Sequence, residues 1–146
     1  MQIDAIDHQL IELLTHNSKL GIKELAAHIG LSVTPTYERI KKLEKNRIIL
    51  GYTAKVNNAL LGKGLKVYCQ VSLSSHQSDL IDGFEQTVIQ FPEVVTFHHI
   101  AGSIDYILYI ETRDMESYHH FLRHHLSTIS GIGNVQSYFV LRTLKE

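Results

Sequence analysis

One cysteine, two prolines and no tryptophan occur in 146 residues, and each scarcity narrows what the chain can be. A lone cysteine, Cys69, excludes an intrachain disulfide and agrees with a reducing, cytoplasmic setting. No apolar run approaches the roughly 18 to 20 residues of a membrane span, so no membrane partner is expected. The opening stretch MQIDAIDHQL carries acids where a secretory leader carries bases, so no export signal is expected. There is no low-complexity tract. Nor is there a nucleophile–base pair, a phosphate-cradling glycine loop or a metal motif, so neither catalysis nor a cofactor is expected.

What is present is ordinary in bulk and uneven in place. Apolar residues make up 44% and charged residues 20%, as in a globular protein long enough to bury a core without staples. The formal net charge of −1 hides an asymmetry. Residues 1–60 hold eight Lys and Arg against six Asp and Glu, whereas residues 61–146 hold six against nine. Arg39, Lys41, Lys42, Lys45 and Arg47 fall within the one segment GLSVTPTYERIKKLEKNRIILGY, with Lys55 just beyond. Clustered charge of one sign makes an electrostatic footprint that net charge conceals.

Hydrophobic period divides the chain. IDAIDHQLIELLTHN predicts a helix with Ile6, Leu10, Leu13 and Leu14 on one stripe and Asp4 as its N-cap. IKELAAHIG predicts a second, with Ile22, Leu25, Ala26 and Ile29 inward and Gly30 as a left-handed C-cap. A third starts beyond Leu31–Ser32, capped by Thr34, with Pro35 at its first position and Asn46 at its end. Its inner stripe reads as Tyr37, Ile40 and Leu43. A short strand over 48–56 and a glycine-bearing hinge follow. From Leu65 the period becomes two: Leu65, Val67, Cys69, Val71 and Leu73 alternate with Lys66, Tyr68, Gln70 and Ser72. The order strand, helix, strand, strand, helix, strand is the split β-α-β, ferredoxin-like pattern. The expected class is α+β. Residues 1–57 form a helix-turn-helix (winged-helix-like) domain, 58–64 a hinge, and 65–146 a βαββαβ ligand-sensing and oligomerisation domain.

Three short helices with a tight turn before the third make a helix-turn-helix. With Tyr37, Ile40 and Leu43 inward, Thr36, Arg39 and Lys42 line the outer side, and Ser32, Val33 and Thr34 form the exposed tip. Such a helix lies in a major groove of double-stranded DNA, its tip and outer face on base edges. Lys41, Lys42, Lys45 and Arg47 then neutralise phosphates, and Arg39, with its forked guanidinium, is matched to guanine O6 and N7. A solvated helix face carries lysines too; the glycine turn, the capped third helix and the one-sidedness of the charge favour DNA.

The stretch LAAHIGLSVTPTYERIKKLEKNRIILGYTAKVN resembles the DNA-binding half of the leucine-responsive and asparagine-responsive regulators, the Lrp/AsnC family of transcription factors. AGSIDYILYIETRDMESYHHFL and the terminal VQSYFVL resemble that family's ligand-sensing domain, so the likeness covers essentially the whole chain. The resemblance implies a homodimer built around the C-terminal sheets, assembling further into octamers or discs, with an amino acid as effector.

Gly102, Ser103, Ile104, Asp105 and Tyr106 make chemical sense as part of an amino-acid site. Amides around a glycine meet an α-carboxylate, and Asp105 meets an α-ammonium. Gly and Asp are also ordinary hairpin residues; the resemblance is what places this loop at the effector pocket. It places Asp114 near the effector response as well, though Asp114 also reads as a helix N-cap. Ser137, Tyr138 and Val140 on the last strand complete the candidates, while Val135 departs from a threonine common in the family.

Ten histidines raise metal and tetrapyrrole readings. His120 and His124 stand at i, i+4, a spacing that holds zinc, but His119, His120, His124 and His125 have no cysteine partner nearby, and the expectation is surface imidazole. His98 and His99 point to opposite faces of a strand. Cys69 reads as core. The rival function is a tetrapyrrole decarboxylase of the same architecture, against which the basic third helix argues.

Overall fold

A computed structural model describes residues 2–145. The chain forms two compact units, divided between Lys55 and Val56.

In the first unit, helices α1 (Ala5–His16), α2 (Ile22–Ile29) and α3 (Val33–Lys45) enclose Leu10, Leu25, Ile40 and Leu43. Burial of each such side chain contributes about 1.5–3 kcal/mol, which makes a marginal core that needs its caps. Asp4 caps α1 as expected: it accepts from the Asp7 N–H at 2.8 Å, and Asp7 accepts from the Asp4 N–H at 3.3 Å. Gly30 takes φ 70° at the end of α2, the left-handed conformation that reverses the chain without a Cβ clash.

Two expectations change here. Ser32, not Thr34, is the N-cap of α3, so the helix begins with Val33 and holds Pro35 in its first turn, where no amide is needed. Residues 48–56 form no strand. Ile48 and Ile49 instead fold back on the three-helix core. Residues 58–62 are wound into turns within the second unit, and Asn58 Nδ2 donates to Glu111 Oε2 at 2.5 Å.

The second unit is one antiparallel sheet in the order β2-β3-β1-β4, with β1 Leu65–Leu73, β2 Val94–His99, β3 Tyr106–Thr112 and β4 Ile132–Phe139. Helices α4 (Ser78–Val88) and α5 (Met115–His124) cover one face, and a 3-10 turn follows at Leu126–Thr128. Phe84, Val88, Tyr118 and Phe121 from the helices pack on Val67, Cys69, Val71, Leu108 and Ile110. The two-residue alternation of β1 therefore does what its pattern requires. Cys69 is fully buried, and burial pushes its thiol up to about 11, so it is neutral packing. Met115 is 55% exposed, because it lies in the first turn of α5 ahead of the inward stripe Tyr118–Phe121. The last strand ends at Phe139.

Among the described residues of this unit, no helix packs on the other sheet face. Tyr109, Tyr68 and Tyr138 are register partners across β3, β1 and β4, which makes a row of three phenols. The Tyr68 and Tyr109 rings lie 5.1 Å apart.

Candidate nucleic-acid interface and ligand loop

The buried stripe of α3 is Thr36, Ile40 and Leu43. Its spacing of four and three follows the 3.6-residue turn. Tyr37 was expected inside but is 51% exposed, while Thr36, expected outside, is fully buried and donates from Oγ1 to the Ser32 carbonyl at 2.8 Å. Choosing the tyrosine for its hydrophobicity moved the assigned face by one residue, about 100° of helix rotation. The exposed surface of α3 is then Val33, Thr34, Tyr37, Glu38, Lys41, Lys42 and Lys45, preceded by Ser32.

Arg39 is engaged within the protein. Its Nη1 donates to Asp4 Oδ2 at 2.7 Å and to Asp7 Oδ1 at 2.8 Å. Each carboxylate thus spends one oxygen on capping α1 and the other on Arg39. The guanidinium expected to meet guanine ties α3 to α1. The paired Asp4 carboxyl lies below its ordinary value, first through the Asp7 N–H and then through Arg39.

Lys41 is paired too, with Glu44 Oε2 at 2.8 Å, and its ammonium stands 5.7 Å from the Tyr37 ring centre. Tyr52 OH donates to the other Glu44 oxygen at 3.0 Å. Lys42, Lys45 and Arg47 are exposed and make no ion pair among the described residues. Arg47 has φ 56°, the only positive φ among the described non-glycine residues. Glycine is the usual occupant of that position past a helix end, and a side chain there costs about 1 kcal/mol. Strain kept at one basic residue beside a basic helix points to a use for the side chain.

The ligand-loop candidates do not form one cluster within a chain. Residues 100–105 link β2 to β3, closed by the Ile100 N–H on the Asp105 carbonyl at 2.9 Å. The Asp105 N–H donates to the Val71 carbonyl at 3.1 Å, and its Oδ2 accepts the Leu73 N–H at 2.7 Å. His76 Nε2 lies 2.7 Å from Oδ1. The Asp105 carboxyl is held below its ordinary value, first by the Leu73 N–H and then by His76. Gly102 and Ser103 are exposed. Gly102 needs no positive φ, and a Cβ there would meet nothing within 4 Å. Nothing inside this chain demands a glycine at that point.

Tyr106 is fully buried, its OH donating to Glu85 Oε1 at 2.8 Å, so only its backbone faces the loop. Asp114 begins α5, beyond the far end of β3, about 20 Å from the loop at ~3.3 Å rise per residue. Its Oδ1 accepts from the Ser117 N–H and hydroxyl at 2.8 Å and its Oδ2 from Arg113 at 2.8 Å, which hold its carboxyl down to about 2. Ser137 faces the helices, with its Oγ 2.6 Å from Tyr118 OH. Tyr138 lies on the bare face, and the Val140 N–H closes onto the Lys66 carbonyl at 3.0 Å. A strand separates side chains by length and by face, which a list of candidates along a sequence does not show.

His76 escaped sequence reading. Its only signal was a histidine in the loop leading to α4, and nothing in spacing links it to a hairpin 29 residues later. The histidines of α5 stack on one another, with the His120 and His124 ring centres 4.5 Å apart. No group of three or more metal-ligating side chains occurs among the described residues. A cleft of about 360 Å³ between α4 and residues 128–130 is lined by Leu80, Phe84 and Ile129 and does not include Asp105. No described helix is long and apolar enough to cross a membrane.

Comparison with known proteins agrees with both halves of this layout. Residues 3–44 match the AsnC-type helix-turn-helix domain, and residues 66–146 match the Lrp/AsnC ligand binding domain. The chain is 31% identical over 143 residues to the Bkd operon transcriptional regulator of Pseudomonas aeruginosa, covering 98% of this chain and 94% of that protein. It is 32% identical to the leucine-responsive regulatory protein of Haemophilus influenzae, covering 99% and 87%. A transcriptional regulator of Neisseria meningitidis, solved as a complex with L-Met, superposes with a TM-score of 0.95 at 30% identity, covering 99% of this chain and 94% of that one. These relatives are regulators, not enzymes, and nothing among them supports a decarboxylase. An AsnC-type helix-turn-helix domain followed by an Lrp/AsnC ligand binding domain is the matched layout, and the chain belongs to the Lrp/AsnC family of DNA-binding transcriptional regulators.

Proposed function

We propose that residues 1–57 read a specific operator through α3 and that residues 65–146 sense a free amino acid through the loop around Asp105. The observation that carries the DNA half is the unpaired basic group Lys42, Lys45 and Arg47 beside the exposed stripe Val33, Thr34, Tyr37 and Glu38. Apolar Val33 and Tyr37 suit a thymine methyl, Glu38 suits the cytosine amino group, and the free cations suit phosphates. The amino-acid half rests on a fixed carboxylate beside an open glycine loop, and on the L-Met complex of the Neisseria relative. The setting is cytoplasmic.

Arg47→Gly tests the reading of α3. The glycine relieves the left-handed backbone, so thermal stability should hold or rise slightly, while DNA affinity falls alike on all sequences. The slope of log K against log salt should drop by about 0.9 for that one lost phosphate contact. Lys42→Ala should lower the slope equally. A variant with wild-type salt dependence would remove that residue from the interface.

A second copy is the proposed cover for the tyrosine row, since a two-fold axis lets one such row meet itself. The homodimer, and octamers or larger assemblies of it, then present paired α3 helices to half-sites one helical turn, or a multiple, apart. Tyr68→Glu should shift sedimentation toward monomer and weaken binding to a paired operator far more than to a single half-site. Unchanged sedimentation would place the interface elsewhere.

A further inference from the structure

Asp105 has two carboxylate oxygens with different neighbours. Oδ2 is committed to the backbone by the Leu73 N–H at 2.7 Å, at the end of the interior strand β1. Oδ1 has only His76, whose side chain is 67% exposed while that of Asp105 is 19% exposed. The imidazole therefore lies over the one oxygen a ligand could use, and it is held by little else. Among the described residues, the Asp105 carboxylate is its sole polar partner.

We infer that His76 is an internal competitor for the effector's α-ammonium, occupying Asp105 Oδ1 in the ligand-free protein and swinging into solvent when an amino acid binds. The inference rests on the amino-acid reading of the Asp105 loop. An exposed imidazole leaves at small cost, whereas the carboxylate stays aimed by Leu73, so the oxygen is kept in place for a cation and covered until one arrives. Ser74, the first residue past β1, is itself tied to the Gly131 carbonyl at 2.7 Å through its N–H. That bond anchors the chain just before His76 and leaves the imidazole as the part free to move.

Competition by a titratable group makes the affinity depend on pH. A protonated His76 holds Oδ1 as an ion pair and a neutral one only as a hydrogen bond, so displacing it is easier the less the imidazole is protonated, and higher pH favours the ligand. The charged and titratable neighbours facing this corner are His99 on β2 and, on α4, Glu85, which lies 3.3 Å from His99 Nδ1 and also accepts from Tyr106 OH. Asp105 feels His99 as a further positive influence, and Asp82 acts on Tyr106. His99 is engaged by Glu85 and by the Tyr106 ring at 4.5 Å, contacts common to wild type and variant.

The experiment titrates full-length wild type, His76→Ala and Asp105→Asn with each proteinogenic amino acid by calorimetry at pH 6 and pH 8. In wild type the affinity for the binding amino acid should rise about two- to fivefold from pH 6 to pH 8. His76→Ala should bind it about two- to fivefold tighter at pH 6 and lose most of that pH dependence. The His76 ring signals should move toward those of a solvent-exposed imidazole when the amino acid is added, as followed by NMR. Binding in wild type with equal affinity and equal pH dependence in His76→Ala overturns the competitor role and leaves the amino-acid reading standing. Wild-type binding that Asp105→Asn retains in full overturns the amino-acid reading of the loop, and the competitor role with it. Heat from no amino acid in any of the three proteins does the same.

Discussion

Asp105→Asn is expected to abolish effector binding at concentrations that saturate the wild type. Alanine would be the poorer choice, because Asp105 Oδ2 accepts the Leu73 N–H at 2.7 Å and its removal would strand that amide. Asparagine keeps an acceptor for Leu73 and removes only the charge. An α-ammonium left without its carboxylate in a desolvated site loses about 2–5 kcal/mol, enough to move a micromolar site to millimolar or weaker. Ligand-free DNA binding should persist, since the operator is read by the other compact unit. Calorimetry of both proteins, beside an operator-binding assay, separates the outcomes. Equal affinity in the variant would reduce the loop to a turn, and loss of DNA binding together with effector binding would mean that assembly had been damaged.

Arg39→Ala is expected to destabilise the three-helix unit by about 1–3 kcal/mol, the range for removing a charged partner from a largely buried carboxylate. Asp7 is the reason: its side chain is 6% exposed, and Arg39 at 2.8 Å is its charged neighbour. The second bond, to Asp4 at 2.7 Å, lies at the surface and contributes less. Denaturant unfolding followed by helical circular dichroism measures the loss, and Arg39→Lys should recover only part of it because one ammonium cannot reproduce the fork. The acid response carries a sign. Asp4 titrates below its unfolded value, so its pairing contributes stability that is complete above about pH 4 and is lost as pH falls through the lower folded value. That acid sensitivity should shrink in Arg39→Ala. Unaltered stability together with lost operator specificity would return Arg39 to the DNA-reading role that sequence spacing assigned to it.

Much of the architecture was legible in the chain because it is written locally. Asp4 as a cap, Gly30 in the left-handed region, the two-residue alternation of β1 and the βαββαβ order each depend on neighbours a few residues away, and each is found in the structure. The basic segment was equally plain, because charge clustered over nine positions needs no fold to be noticed. The phase of α3 was not. A tyrosine and a threonine one residue apart compete for the inside, and propensity favours the tyrosine; only packing against α1 and α2 put Thr36 there and Tyr37 outside. The role of Arg39 depends on carboxylates 32 and 35 residues away, and that of His76 on one 29 residues away, separations at which a sequence carries no spacing rule. Residue types and short-range pattern determined which elements form and where charge collects. Tertiary contact decided which charges are spent inside the protein and which remain for DNA and ligand, because pairing is settled by distance in space and the chain sets distance only along itself.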